Sequence, residues 1–171
     1  MNIHTEIESP VGPLLLVGEK TTKGTVRLAS LSMSGQRYAP KVREGWVADP
    51  EAFADVTRQL GEYFAGTRTE FELEYAVAGT DFQRMVWDAL DTIPHGTTTA
   101  YGALAAQLGL PRDRVQALGA AIGANPLLIV RPCHRVVGAD GSMRGYAGGV
   151  ERKQWLLALE GRSVPLALPL L

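Results

Sequence analysis

The chain has 171 residues, 46% apolar and 20% charged, with a formal net charge of −1 and one cysteine. This suits a folded chain of one ordinary domain or two small ones and argues against extensive disorder. It excludes an internal disulfide and a thiolate zinc cluster, and no apolar run nears the roughly 20 residues a membrane span needs.

The N-terminus, MNIHTEIESP, lacks the basic start and apolar stretch of a secretory signal, so a cytoplasmic location is expected. Residues 2–8 alternate as a strand does, Pro10-Val11-Gly12-Pro13 is turn chemistry, and Leu14 to Val17 is a short apolar run. Thr25 to Met33 alternates again, and Ser34 to Pro50 is polar and irregular, as a connecting loop is. Pro50 to Ala65 has helical spacing, with Phe53, Val56, Leu60 and Phe64 on one stripe. Phe71 to Ala78 alternates and predicts an edge strand. Residues 1–78 thus predict an α/β domain, a small antiparallel sheet plus a helix.

From Thr80 the period becomes helical, and residues 79–171 form the second predicted domain. Asp81 is the expected N-cap of a helix bearing Phe82, Val86 and Leu90 and ending at Pro94-His95-Gly96. Thr97 to Thr99 are expected to cap a helix from Ala100 to Leu108. After Gly109-Leu110-Pro111 a third helix runs from Arg112 to Gly123. Two short helices about a tight turn have the shape of a helix-turn-helix, although packed helical hairpins in general look alike at this level. Asn125-Pro126 and a strand-like run, Leu127 to Val130, lead to Arg131-Pro132-Cys133-His134-Arg135. A Gly-rich loop, Gly138 to Gly149, precedes a last helix from Val150 to Leu159 that turns Trp155 and Leu156 inward. The tail after Gly161 is rich in Pro and Leu and reads as extended.

Charge is uneven along the chain, −3 over the first 76 residues and +2 from Val77 onward. A mildly basic second half is compatible with DNA and does not by itself point there. His4, His95 and His134 are too scattered to suggest a metal site, and no metal or cofactor is expected.

A lone cysteine is usually a small buried hydrophobe. Three neighbours argue otherwise for Cys133. A proline precedes it at the end of an apolar run, and a histidine and an arginine follow, which favour the thiolate. On an extended strand adjacent side chains point to opposite faces, so His134 serves Cys133 only where the backbone bends or a water bridges them. Glu160 on the last helix is one candidate among several carboxylates for holding the His134 tautomer.

Arg131-Pro132-Cys133-His134-Arg135-Val136-Val137-Gly138 resembles the active-site signature of the O6-alkylguanine-DNA alkyltransferases. Asn125-Pro126, Gly145-Tyr146-Ala147-Gly148-Gly149, Val150-Glu151-Arg152-Lys153 and residues 155–161 extend the resemblance. So do Gly79-Thr80-Asp81-Phe82-Gln83, Trp87, Ile93-Pro94 and Thr99-Ala100-Tyr101-Gly102; the match is dense over residues 79–161 and looser in Ser9-Pro10-Val11-Gly12-Pro13-Leu14. The resemblance implies a ribonuclease H-like N-terminal domain and a mainly α, winged-helix-like C-terminal domain. It implies an irreversible, single-turnover transfer of an alkyl group from O6 of guanine in double-stranded DNA to Cys133.

Carried over by position, His134 is a water-linked base, Glu160 orients it, and Asn125 braces the turn presenting the cysteine. Tyr101 donates toward the departing base. Val136 offers its carbonyl to the guanine amino group, and Tyr146 and Ala147 wall the pocket. The base must flip out of the duplex, with the small-residue helix in the minor groove and DNA contacts from Gly102, Arg114, Gln116 and Arg135. O4-alkylthymine as a second substrate and cooperative assembly on DNA stay open.

The chain departs from the family pattern at four places. The arginine that fills the gap left by the flipped base is replaced by Gln116, so either Gln116 intercalates or Arg114 substitutes. Arg131 stands where an apolar residue is usual, and either faces solvent or pairs with an acid. Ile122 replaces a residue often polar, and the zinc ligands of some relatives' first halves have no counterpart. Two other classes compete: a non-catalytic sensor of alkylated bases, which the presence of Cys133 argues against, and a Cys–His hydrolase, which could not release a thioether with water.

Overall fold

The alternation in the first 33 residues becomes an antiparallel meander in the computed structural model, which describes residues 2–37, 39–143 and 145–163. β1 (Asn2–Ile7) pairs with β2 (Leu14–Lys20), and β2 with β3 (Val26–Met33). The β1–β2 turn is closed by Ser9, whose hydroxyl donates to the Gly12 carbonyl at 2.6 Å, and Gly12 takes φ 96°, open to glycine without steric cost. Inside the expected connecting loop a two-residue strand, β4 (Val47–Ala48), lies parallel to β1, giving the order β3-β2-β1-β4.

A 3₁₀ turn, Pro50–Phe53, leads into α1 (Ala54–Phe64), with the Asp49 carboxylate accepting from the Ala52 amide. Phe53, Val56, Leu60 and Tyr63 are the buried stripe, so the inward aromatic is Tyr63 and the half-buried one Phe64. They join Leu14, Leu16, Leu28 and Leu31 among the buried apolar side chains of this unit.

Phe71 to Ala78 is not a strand. A single parallel bridge joins Tyr75 to Leu28. Gln59 of α1 explains much of this: its amide accepts from the Glu72 N–H at 2.9 Å and donates to the Glu72 carbonyl at 3.0 Å. A helix side chain thereby satisfies backbone groups that a neighbouring strand would otherwise have to pair.

By its internal contacts the chain divides into two compact units, one ending at Ala78 and the other beginning at Gly79. In the second, α2 (Asp81–Leu90) starts with a reciprocal cap. Thr80, not Asp81, is the N-cap: its hydroxyl accepts from the Gln83 amide and the Gln83 side chain accepts from the Thr80 amide, both at 3.0 Å. Thr80→Ala is expected to cost about 1 kcal/mol, read as a lowered midpoint in urea denaturation. Gly79 sits against the Trp87 ring, where a Cβ would come within 2.6 Å.

Thr99 does not cap a helix through its side chain. Thr99–Ala100 form β5, which pairs in parallel with β6 (Val136–Val137), and α3 (Tyr101–Gln107) begins directly after it. This pairing sets Tyr101 beside the strand that follows Cys133. A 3₁₀ turn, Arg112–Arg114, opens α4 (Val115–Gly123), which packs on both α2 and α3. The Trp87 indole donates to the Ala121 carbonyl at 2.8 Å, and Leu118, Ala121 and Ile122 are buried. Ile122 therefore fills core space.

Leu127 to Val130, expected to be strand-like, keeps only a single bridge at Leu127 and is otherwise a turn, Leu128 to Val130, carrying Ile129 at φ 70°. That region is sterically costly for a β-branched residue and survives where the surroundings enforce it. The last helix, α5 (Val150–Ser163), buries Leu156 and Leu159, with Trp155 half-buried. It passes beyond Gly161, and the rest of the Pro- and Leu-rich tail lies outside the described residues.

Candidate active site

Asn125, just after α4, organises the turn that carries the cysteine. It is 3% exposed, and its Oδ1 accepts from the Leu127 amide at 3.0 Å. Its Nδ2 donates to the carbonyls of Leu127 and Arg131, each at 3.3 Å, and to Cys133 Sγ at 3.2 Å. One side chain thus ties both ends of the Ile129 turn and touches the sulfur.

Of the two alternatives left by the sequence, a bend or a bridging water, the backbone bends here: Cys133–Arg135 form a 3₁₀ turn rather than a strand. His134 lies fully buried, and its Nε2 is 2.6 Å from Glu160 Oε2. Burial would raise the Glu160 pKa, but the His134 hydrogen bond and the paired Arg135 more than reverse this and hold it well below the usual carboxylate range. Burial pushes the His134 pKa down against the pull of Glu160, favouring neutral imidazole. Facing a carboxylate, Nε2 carries the hydrogen. Nδ1 is then an acceptor, buried and without a hydrogen-bond partner.

Arg135 corrects an expectation. It is 7% exposed and cannot reach DNA as placed: Nε and Nη2 donate to Glu160 at 2.8 and 3.1 Å, and Nη1 donates to the Ile93 carbonyl at 2.6 Å. Its charge is spent on Glu160, whose buried carboxylate needs a cation.

The thiol is not pre-ionised. Burial pushes the Cys133 pKa up to about 11, while the Asn125 hydrogen bond and the Lys153 and Arg131 charges pull the other way. Burial thus favours the uncharged form of both neighbours, the Cys133 thiol and the His134 imidazole.

Tyr146 presents its ring edge-on to His134 with centroids 6.3 Å apart, and its hydroxyl is buried without a hydrogen-bond partner. Ala147 follows, half-buried. Gly145, at φ 80°, is where the loop passes Tyr101; a Cβ there would lie 2.9 Å from the Tyr101 hydroxyl. Glycine is what lets Tyr101 reach this wall of the site. Val136 is buried, and its carbonyl accepts from Lys153 Nζ at 2.6 Å.

Sequence reasoning assigned no role to Lys153. The signal was present: residues 153, 156 and 160 fall on one face of α5, so a lysine there had to be buried with the apolar stripe. Gly102, Arg114 and Gln116 are exposed and belong to the outer helical surface rather than to the buried cluster. The Arg114 guanidinium stacks over the Phe82 ring, 4.7 Å from its centroid, while Gln116 shares an exposed face of α4 with Ala120 and Gly123. Among the described residues no group of three His, Cys, Asp or Glu side chains is placed to hold a metal, and no helix is long and apolar enough to cross a membrane.

A sheet-and-helix unit is followed by a helical unit that buries Cys133, His134 and Glu160, the makings of a cysteine site in a helical domain. Two family models match, the ribonuclease-like domain of 6-O-methylguanine DNA methyltransferase over residues 2–76 and its DNA-binding domain over residues 81–162. The chain belongs to the 6-O-methylguanine DNA methyltransferase family.

It is 49% identical over 167 residues to a methylated-DNA–protein-cysteine methyltransferase of Mycolicibacterium paratuberculosis, covering 98% of this chain and 97% of that one. A protein of the same name from Methanosarcina acetivorans is 43% identical over 90% of this chain and 95% of its own. The crystal structure of Mycobacterium tuberculosis OGT in complex with DNA superposes with a TM-score of 0.84 at 45% identity, covering 94% of each chain.

Proposed function

We propose that this chain reverses alkylation damage in DNA by moving the alkyl group from O6 of guanine to Cys133, once per molecule. The observation that carries this reading is a buried Cys133, contacted at Sγ by Asn125 Nδ2 and followed in the same 3₁₀ turn by a buried His134 whose Nε2 lies 2.6 Å from Glu160. As Sγ attacks the alkyl carbon, the C–O bond breaks and an S–C bond forms. The thiol proton passes toward His134 Nδ1, directly or through a water, and the imidazolium is stabilised by Glu160. A thioether has no leaving group that water can displace, so the protein is consumed.

The other roles follow position. Asn125 donates to the sulfur and rigidifies its turn, and Tyr101 donates toward the base as negative charge develops on it. Val136 keeps one carbonyl lone pair for the guanine amino group while Lys153 occupies the other. Tyr146 and Ala147 close the pocket. Gly102 and Arg114 lie on the surface that meets the phosphates of double-stranded DNA.

Because Arg114 is already stacked on Phe82, Gln116 is the residue of α4 left to fill the space of a flipped base. Gln116→Arg should speed repair of a methylated duplex several-fold while barely changing reaction with free O6-benzylguanine. Equal effects on both substrates would contradict this.

Peptide mass mapping after incubation with an O6-methylguanine oligonucleotide tests the whole reading. One added methyl on the Cys133 peptide supports it. Binding without methylation would indicate a sensor, and repair without a protein adduct would indicate hydrolysis; either outcome would overturn it.

A further inference from the structure

Arg131 is turned away from solvent. Its side chain is 11% exposed, with Nε donating to Asp91 Oδ1 at 3.3 Å and the guanidinium over the Trp87 ring, 5.2 Å from its centroid. Nη1 reaches Asn125 Oδ1 at 3.5 Å. Asp91 and Trp87 both come from the C-terminal end of α2 and grip the guanidinium from two sides. The third side meets the amide whose opposite end touches the nucleophile.

We propose that Arg131 is a positioning residue for Cys133, held by Asp91 and Trp87 so that its cation fixes and polarises the Asn125 amide that donates to Sγ. The proposal rests on the alkyl-transfer reading above. An Asn amide offers nearly the same shape in either orientation, but only one presents N–H to sulfur. With Oδ1 drawn toward a cation and the Leu127 N–H, Nδ2 is left to face Cys133. Flipped, the amide would present Oδ1 to a developing thiolate and oppose its formation. Positive charge beside Oδ1 also makes the amide N–H groups better donors.

The groups around the sulfur make such help useful. Lys153 comes from α5, the His134–Glu160–Arg135 cluster is internally compensated, and Tyr146 faces the site with a hydroxyl that resists ionisation. Burial holds the thiol protonated, and Arg131 and Lys153 are the two cations that work against it. Asp91, with Asp88 nearby, partly screens Arg131 while holding it in place.

The test is the pH dependence of Cys133 carbamidomethylation by iodoacetamide, followed by mass spectrometry. It requires neither DNA nor base recognition, so its outcome is separable from the proposed function. Arg131→Met keeps the stem but removes the charge. It should raise the apparent thiol pKa by about one unit and slow transfer from free O6-benzylguanine at neutral pH about tenfold. Arg131→Lys keeps the charge and should recover most of both, and it remains informative should the Met variant fold poorly. A Met variant with the wild-type pH profile, or a Lys variant as impaired as Met, would overturn the proposal.

Discussion

Glu160→Ala is expected to destabilise the protein by about 3–5 kcal/mol, because it leaves a buried guanidinium without its counter-ion. Glu160 is wholly buried and accepts two hydrogen bonds from Arg135 and one from His134. Without it, Arg135 retains the Ile93 carbonyl as its partner. For a chain of this length the thermal midpoint should fall by on the order of 10 °C. Removing both members, as in Glu160→Leu with Arg135→Met, should restore much of the loss, since an apolar pair carries no desolvation cost. A double variant as unstable as the single one would show that the charge was not what mattered.

The same cluster sets the acid response of the wild type. Glu160 has a folded-state pKa below its ordinary value of 4.5, so its contribution is complete above that pH and is lost as pH falls through the folded value. His134 is lowered from 6.5, which means the folded state resists a proton that the unfolded chain accepts. Stability should therefore begin to decline below about pH 6.5 and decline further below 4.5. Urea midpoints measured from pH 8 down to about pH 2.5 check both stages.

Cys133→Ser is expected to abolish alkyl transfer, lowering the rate at least about 10⁴-fold, while fold and DNA binding persist. The hydroxyl occupies nearly the same volume and can accept from Asn125 Nδ2, so the turn should survive. What is lost is nucleophilicity: even the suppressed thiol, near 11, is far easier to deprotonate in the act of attack than an alcohol. Transfer assays and melting curves on the same preparation separate lost chemistry from lost fold. Comparable transfer by the Ser variant would move the acceptor away from residue 133.

How legible the molecule was depended on whether the relevant force acted along the chain or across it. The meander, α1, α2 and the α3–α4 pair arise from local alternation, 3.6-residue spacing and turn residues, and these were readable directly. Phe71 to Ala78 misled because alternation reports a half-buried face and not a partner, and Gln59 supplied the backbone hydrogen bonds from a helix. Leu127 to Val130 misled because an apolar run can be buried as a turn when a side chain such as Asn125 satisfies its carbonyls.

At the site, the spacing of Asn125, Cys133, His134 and Glu160 was recognisable, but the partner of each charge was not. Arg135 looked like a DNA contact because arginine near a DNA-binding helix usually is one. Only the meeting of α5 with the Cys133 turn shows that Glu160 claims it. Arg131 and Lys153 were undecided or overlooked for the same reason, since their partners lie 40 and 17 residues away in sequence.

The central claim is that Cys133 is an acceptor used once. A titration of the protein with increasing equivalents of O6-methylguanine duplex, counting restored guanine and methylated Cys133 in the same samples, tests it most directly. Both quantities should rise together and level off at one per chain. Guanine restored beyond one equivalent, or without matching methylation of Cys133, would contradict the account.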